Sequence, residues 1–311
     1  MLEKNDLVRV KVIGVGGCGC EAVNLMIKDS VTNMDYISID TDPYTLQGSK
    51  AFTRILLGNG GHCEGWHEIS RLMTNEVSDS IAEALNNADM LFVIAGMGGV
   101  TGSQASPIIA NIAREMGILT VGVVTIPFLF EGSRRCKLAE AGLAELKKNV
   151  DTLVSLSNEK IAANLKEPSV CDAFHSVAEH IALAINSITD LLLKEVLISL
   201  DFDEVRTVML KKGLARLGVG RAKGKNKLEQ AAEMTLRNPV LEAPIKSAKT
   251  AILSVVGDSS IELKELSKAE RIIRKALDPD TEIIFGTAID DGMEDEVMIS
   301  LLAIGLEEKA S

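Results

Sequence analysis

Aromatic residues are scarce in this chain: seven Phe, two Tyr and one Trp among 311 residues. That is too few for a platform on which bases stack, so single-stranded nucleic-acid binding is disfavoured. Positive charge is short as well. Lys and Arg number 33 against 44 Asp and Glu, a formal charge of −11, and general nucleic-acid affinity needs the opposite balance to neutralise phosphates. Five cysteines in a chain of this length do not make a disulfide framework. No apolar h-region follows Met1, which argues against a secretory signal. No uninterrupted apolar run approaches the ~20 residues of a membrane span. The expectation is a soluble, cytoplasmic protein, and a domain size of ~150 residues suggests two domains.

Apolar runs rich in Val and Ile occur at 7–13, 36–39, 90–95, 118–124 and 152–156, and helical patterns fall between them at 21–28, 68–86, 106–116 and 137–147. Near-continuous apolar strands separated by helices are the mark of a buried parallel sheet. They predict a doubly wound α/β domain, with ligands at the C-terminal ends of its strands. From 173 to 198 there is no Gly or Pro, and Phe174, Val177, Ala178, Ile181, Ile185, Ile188 and Leu192 fall at helical spacing. A helix apolar around so much of its girth is a buried one, and it would span about 39 Å. It is expected to join the two domains, dividing the chain into 1–172, a central helix at 173–198, and 199–311. Beyond it, strands are expected at 251–256, 282–285 and 297–303, with helices at 228–236 and 267–276. Seven Lys or Arg between Lys211 and Lys227 read as a solvated loop. An acidic filament surface or anionic lipid is the functional alternative there.

Glycine clusters carry the chemistry. Gly14-Val15-Gly16-Gly17-Cys18-Gly19 follows a strand and precedes a helix, where glycine admits positive φ and lets backbone N–H groups approach a phosphate. With Asp40 about 20 residues on, this matches the dinucleotide fingerprint, so an NAD-type dehydrogenase is one reading and a ligand-free tight turn another. A second cluster, Gly96-Met97-Gly98-Gly99-Val100-Thr101-Gly102-Ser103, and a third, Gly58-Asn59-Gly60-Gly61, also follow apolar runs. Three such turns suggest one nest of amides around a polyphosphate, hence a nucleoside di- or triphosphate in preference to NAD. The GxxxxGK-Ser/Thr signature of P-loop enzymes does not occur. Cys18 with Cys20, and His62-Cys63 with His67, lack a second pair at metal-ligand spacing, so no metal site is expected from them. His175 and His180 read as surface or interface histidines, and Trp66 as a loop anchor or a nucleotide flank.

Residues 96–102 resemble the glycine-rich signature of the tubulin and FtsZ family. Residues 13–23 (IGVGGCGCEAV) resemble that family's first phosphate loop, 124–132 (VTIPFLFEG) its sugar-binding segment, and 200–209 (LDFDEVRTVM) its acidic catalytic loop. Residues 282–306 resemble the last strands of its second domain, so the likeness runs in order from about 7 to 306. The resemblance implies a tubulin/FtsZ-like α/β fold, in which a Rossmann-type parallel-sheet GTPase domain is joined by a long central helix to a smaller α/β domain. It implies GTP or GDP as ligand with Mg²⁺ as companion ion, and head-to-tail polymerisation with copies of itself. By the same likeness Gly16, Gly17 and Gly19 belong to the first phosphate loop, with Cys18, Cys20 and Glu21 beside them. Gly60 belongs to the third turn; Gly96, Met97, Gly98, Gly99, Val100, Thr101 and Gly102 form the signature loop. Glu131 and Arg135 would meet sugar and phosphate, Asn158 the base or ribose, Phe174 the guanine face, and Glu179 the guanine N–H donors. Asp201 and Glu204 would act on the nucleotide of the adjacent subunit, where carboxylates orient and polarise an attacking water.

Departures from the family pattern are expected to matter. Val100 and Gln104 stand where the signature has Gly, and a β-branched residue suits positive φ poorly. Glu21 and Ser199 each stand where the family has Asn. These features describe a diverged member, and they keep open a second reading, a non-hydrolysing nucleotide-binding structural protein that co-assembles with another FtsZ-like protein. No disordered linker or terminal peptide follows 306, so the sequence reads as lacking the family's C-terminal tail. Tail-mediated adaptor binding is therefore not expected, nor are direct membrane insertion or nucleic-acid binding.

Overall fold

The structure is a computed structural model and describes residues 8–28, 34–58, 68–193, 196–198, 201–210, 213–241, 245–290 and 292–306. It divides into two compact units, Met1–Ala182 and Leu183–Ser311. The first is a parallel sheet of β1 (Val10–Val15), β2 (Met34–Asp40), β3 (Thr53–Leu56), β4 (Met90–Gly96), β5 (Leu119–Ile126) and β6 (Thr152–Ser157). Their spatial order is β3-β2-β1-β4-β5-β6. Strand order therefore reverses between β1 and β4, which pair in register with Val15 beside Ala95. The C-terminal ends of these two strands form the crevice in which doubly wound folds place ligands. Val12, Ile13, Leu91, Phe92, Val93 and Ile94 are fully buried, as parallel strands covered on both faces must be.

Helices α1 (Gly16–Lys28), α2 (Pro43–Gly48), α3 (Glu68–Leu72), α4 (Asn75–Leu85), α5 (Val100–Glu115), α6 (Ser133–Asn149), α7 (Asn158–Ala162) and α8 (Val170–Leu193) complete the order up to the unit boundary, which falls inside α8. The single helix expected at 68–86 is two, with Thr74 capping the second through Val77 N. Helix α5 starts six residues before the expected 106, directly on Gly99. The turn of the second glycine cluster is thus shorter than the sequence suggests. Helix α8 is 24 residues long and, by length and composition alone, could cross a membrane; 67% of its most apolar stretch is buried within the protein. A core helix meets both descriptions. The chain leaves α8 earlier than expected because Val196–Ile198 forms a short strand, β7, antiparallel to a later strand of the second unit.

The second unit's sheet adds β8 (Gly213–Lys223), β9 (Thr250–Gly257), β10 (Glu282–Ile289) and β11 (Glu296–Ile304), in the order β8-β11-β9-β10-β7. Its other helices are α9 (Phe202–Met209), α10 (Lys227–Arg237) and α11 (Leu263–Ala276). One sheet face, with Leu253, Ile299 and Leu301, packs on Leu228, Ala231 and Ile273 of α10 and α11. The eleven-residue β8 falls where a solvated basic loop was expected. Ala215 and Leu217 are buried at period two, and burial pulls the Arg216 guanidinium pKa down. Glycines make the strand hard to recognise: a Cβ at Gly220 would lie 2.1 Å from Ala231 O, so α10 sits directly on β8.

Lys227, the last cation of that basic stretch, is 4% exposed. Its Nζ donates to Ser260 Oγ at 2.9 Å and lies 3.3 Å from both Asp258 Oδ1 and Asp295 Oδ1. The Asp258 carboxylate accepts from the Ser260 hydroxyl and from Asp295 N, and with Lys227 these hold its pKa well below the usual carboxylate range. A depressed folded pKa contributes stability that is present above the unfolded value of about 3.9 and is lost as pH falls through the folded value. Asp258→Asn is therefore expected to lower the melting temperature at pH 7, with the gap to the unaltered protein closing below about pH 4. Thermal melts across that range check it, and a gap that persists undiminished under acid would contradict the linkage.

Candidate functional site

Two helix N-termini converge on the β1–β4 crevice. Helix α1 begins at Gly16, whose φ of +74° turns the chain sharply from β1. A Cβ on Gly14 would lie 2.3 Å from Gly19 O, and one on Gly19 would lie 2.5 Å from Ile94 O. Gly14 and Gly19 therefore let α1 seat on the sheet and do not themselves face the ligand space. At the second turn Gly98 has φ of +96°, and Gly98 N donates to the buried Ser103 Oγ at 2.8 Å. A Cβ on Gly102 would sit 2.5 Å from Gly96 O. The N-cap of α5 is Gly99, which offers no side-chain acceptor. First-turn amides without an intrahelical partner, at the positive end of a helix, are an anion site in waiting.

Between these turns lies a cavity of about 440 Å³. Gly16, Gly17, Cys18 and Glu21 line one side, and Gly96, Met97, Gly99, Val100, Thr101 and Gly102 another. Glu131, Arg135, Asn158 and Phe174 close it together with Thr125, Pro127, Val177 and Ala178. Glu131 is held from two sides: Oε1 accepts from Phe128 N at 2.8 Å, and Oε2 pairs with Arg135 Nη1. The buried Phe128 meets Phe174 edge to face at 5.4 Å, fixing that ring at the rim. Asn158 is 4% exposed, and its Oδ1 has no hydrogen-bond partner within the protein. A buried amide oxygen left so costs free energy until something that enters the cavity donates to it.

Several residues singled out from sequence fall elsewhere. Gly60 lies outside the described residues. Gly98 and Gly19 shape the turns without lining the cavity. Cys20 is buried, facing Gly14 O and Ile39 O, and burial pushes its thiol up to about 12. Cys18 lines the cavity near Thr125 Oγ1; desolvation there pushes its thiol up, aided by the Glu131 and Glu21 carboxylates and opposed by the Thr125 hydroxyl. Neither thiol is set up as a nucleophile. Glu179 is half-exposed, 3.6 Å from His175 Nε2, and is not in the cavity wall although Val177 and Ala178 are. Asp201 caps α9 by accepting from Asp203 N at 3.2 Å, and Glu204 sits in that helix's first turn; both belong to the second unit.

Two expectations need correcting. Val100 does not occupy positive φ: it is the first residue of α5, and the left-handed positions are Gly16 and Gly98. A side chain at 100 is therefore unstrained and contributes bulk to the cavity wall. Asp40, the acid of the dinucleotide fingerprint, does not line the cavity. It is buried, accepting from Thr41 N at 2.7 Å and Asp42 N at 3.2 Å, and burial draws its pKa upward. The ribose contact on which an NAD reading rests is absent from this arrangement. Of the lining residues that sequence reasoning missed, Thr125 and Pro127 lay inside the quoted 124–132 segment. Val177 and Ala178 follow from Phe174 by one helical turn.

The family model for the tubulin/FtsZ GTPase domain matches residues 9–166, and that for the FtsZ C-terminal domain matches 213–307. An empty FtsZ dimer from M. jannaschii is 32% identical with a TM-score of 0.91, over 97% of this chain and 89% of its own. A GTPγS-bound protofilament of CetZ2 from Haloferax volcanii has a TM-score of 0.80 at 19% identity, over 97% and 95% of the two chains. CetZ from Methanosaeta thermophila strain DSM 6194 gives 0.80 at 21%, over 96% and 87%. At these lower identities the likeness is one of fold. The reading of a family member that lacks its C-terminal tail is corrected by the second match: the FtsZ C-terminal domain is present, and within it β8 to β11 with α10 and α11 share a core.

Gly102→Ala tests the close approach of α5 to β4. The added methyl meets backbone and cannot be relieved by a side-chain rotation, so a loss of about 1–3 kcal/mol of stability is expected. Denaturant melts measure it; a variant as stable as the parent would show that the turn can open at no cost.

Proposed function

Because this chain belongs to the tubulin/FtsZ family, we propose that the cavity binds GTP and GDP and that the protein assembles head to tail into filaments. The observation that carries the nucleotide assignment is the convergence of the α1 and α5 N-termini on one cavity whose lining includes Asn158 with its unpartnered Oδ1. Phosphates would rest on the amides of Gly16, Gly17, Gly99, Val100 and Thr101. Asn158 would accept from a base or ribose donor, Phe174 would cover the base, and Glu131 with Arg135 would engage the sugar and phosphates. Mg²⁺, the companion ion the family resemblance implies, would be held mainly by nucleotide phosphates and water and would supply charge neutralisation there.

In this reading hydrolysis needs two copies. Asp201 and Glu204 of one subunit would orient water at the nucleotide of the next, so turnover would follow assembly. Such a heterologous contact need not close on itself, and repeated it yields a filament. The second reading, nucleotide held without hydrolysis, draws support from Val100 and Glu21, which add bulk and negative charge to the cavity wall.

GTP turnover per subunit is expected to rise with protein concentration through an assembly threshold. Asp201→Ala should retain nucleotide and lose turnover by roughly 100-fold or more. Phosphate-release assays paired with nucleotide content by chromatography check both. Turnover that stays flat with concentration would contradict the shared site, and bound GTP with no phosphate release would favour the second reading.

A further inference from the structure

Asp40 and Thr41 stand at the end of β2 with no part in the cavity wall, yet they touch it through one bond. Thr41 Oγ1 lies 3.0 Å from Thr101 Oγ1, and Thr101 lines the cavity in the first turn of α5. Thr41 Oγ1 also lies 3.4 Å from Asp40 Oδ1. That second distance is beyond the usual ~2.5–3.0 Å of an O–H···O hydrogen bond, and the first is at its edge. Asp40 already accepts two backbone N–H groups, which pin the Thr41 main chain without help from its hydroxyl. Thr41 is 5% exposed, so water offers its hydroxyl little alternative.

Each hydroxyl has one proton to give. Two orientations follow: Thr101 donates to Thr41, which donates to Asp40; or Thr41 donates to Thr101, which donates into the cavity. A phosphate oxygen only accepts, so its arrival favours the second orientation, and the only bond surrendered is the long one to Asp40. A hydroxyl that accepts a hydrogen bond is also a stronger donor. We infer that Thr41 is a positioning residue for nucleotide: its hydroxyl turns the Thr101 proton toward a phosphate oxygen. This rests on the nucleotide reading above.

The test is GTP affinity by titration calorimetry for Thr41→Val, which keeps shape and removes the hydroxyl, and Thr41→Ser, which keeps the hydroxyl and removes the methyl. A relay predicts about fivefold weaker binding for Thr41→Val, the weight of one net hydrogen bond, and near-parental binding for Thr41→Ser. A packing role predicts the reverse order and would overturn the inference. In the double variant with Thr101→Val, the loss should be no greater than with Thr101→Val alone; additive losses would also overturn it. GTP binding left unchanged by Thr41→Val defeats the relay alone, whereas failure of the unaltered protein to bind GTP defeats the nucleotide reading and the relay with it.

Discussion

Carbonyl oxygens of Gly19, Ile94 and Gly96 lie where a Cβ on Gly14, Gly19 or Gly102 would have to be. This backbone-to-backbone contact at the meeting of β1 and β4 is the constraint on which the site depends. It brings the first turns of α1 and α5 close to two adjacent strand ends, so their unpaired amides face one space. Any side chain at those positions would push a helix away from the sheet and separate the donors. The remaining glycines divide the labour differently. Gly16 and Gly98 supply the left-handed backbone that turns each strand into its helix.

Around that frame the cavity is finished by groups whose positions are over-determined. Glu131 is held by a backbone amide and by Arg135; Phe174 is held by Phe128; Leu129 N is held by Glu159 Oε1 at 2.9 Å. Asn158 is the exception, buried with an oxygen left open. A site that is rigid except for one unfilled acceptor is organised before its ligand arrives, and little ordering cost then remains at binding.

The second unit solves a different problem with related means. Its sheet packs α10 onto β8 through Gly218 and Gly220, and a buried lysine, Lys227, gathers the Asp258 and Asp295 loops at one end. A buried cation between two carboxylates is tolerable only because hydrogen bonds satisfy the groups around it. Sequence reasoning placed this lysine in a solvated loop because the stretch is rich in charge, whereas its partners Asp258, Ser260 and Asp295 lie more than thirty residues away along the chain. The strand before it was missed because interspersed glycines hide the period-two alternation of Ala215 and Leu217.

Local pattern made much of the first unit legible. Val- and Ile-rich runs, each too short to be a helix, announced five of its six strands, and the glycine clusters at 14–19 and 96–102 announced the turns between strand and helix. Those signals are covalent and short-range: φ freedom, side-chain branching and periodicity act within a few residues. Short edge elements such as β3 and β7 were illegible because their stability comes from pairing with strands distant in the chain. Which glycines face ligand and which face backbone, that Val100 sits in ordinary helical φ, and that Asp40 turns onto its own loop were likewise undetermined. The sequence by itself determined which residues could make a phosphate-binding turn; only the tertiary structure decided which of them meet in one cavity, because that depends on how closely two helices can approach two strands.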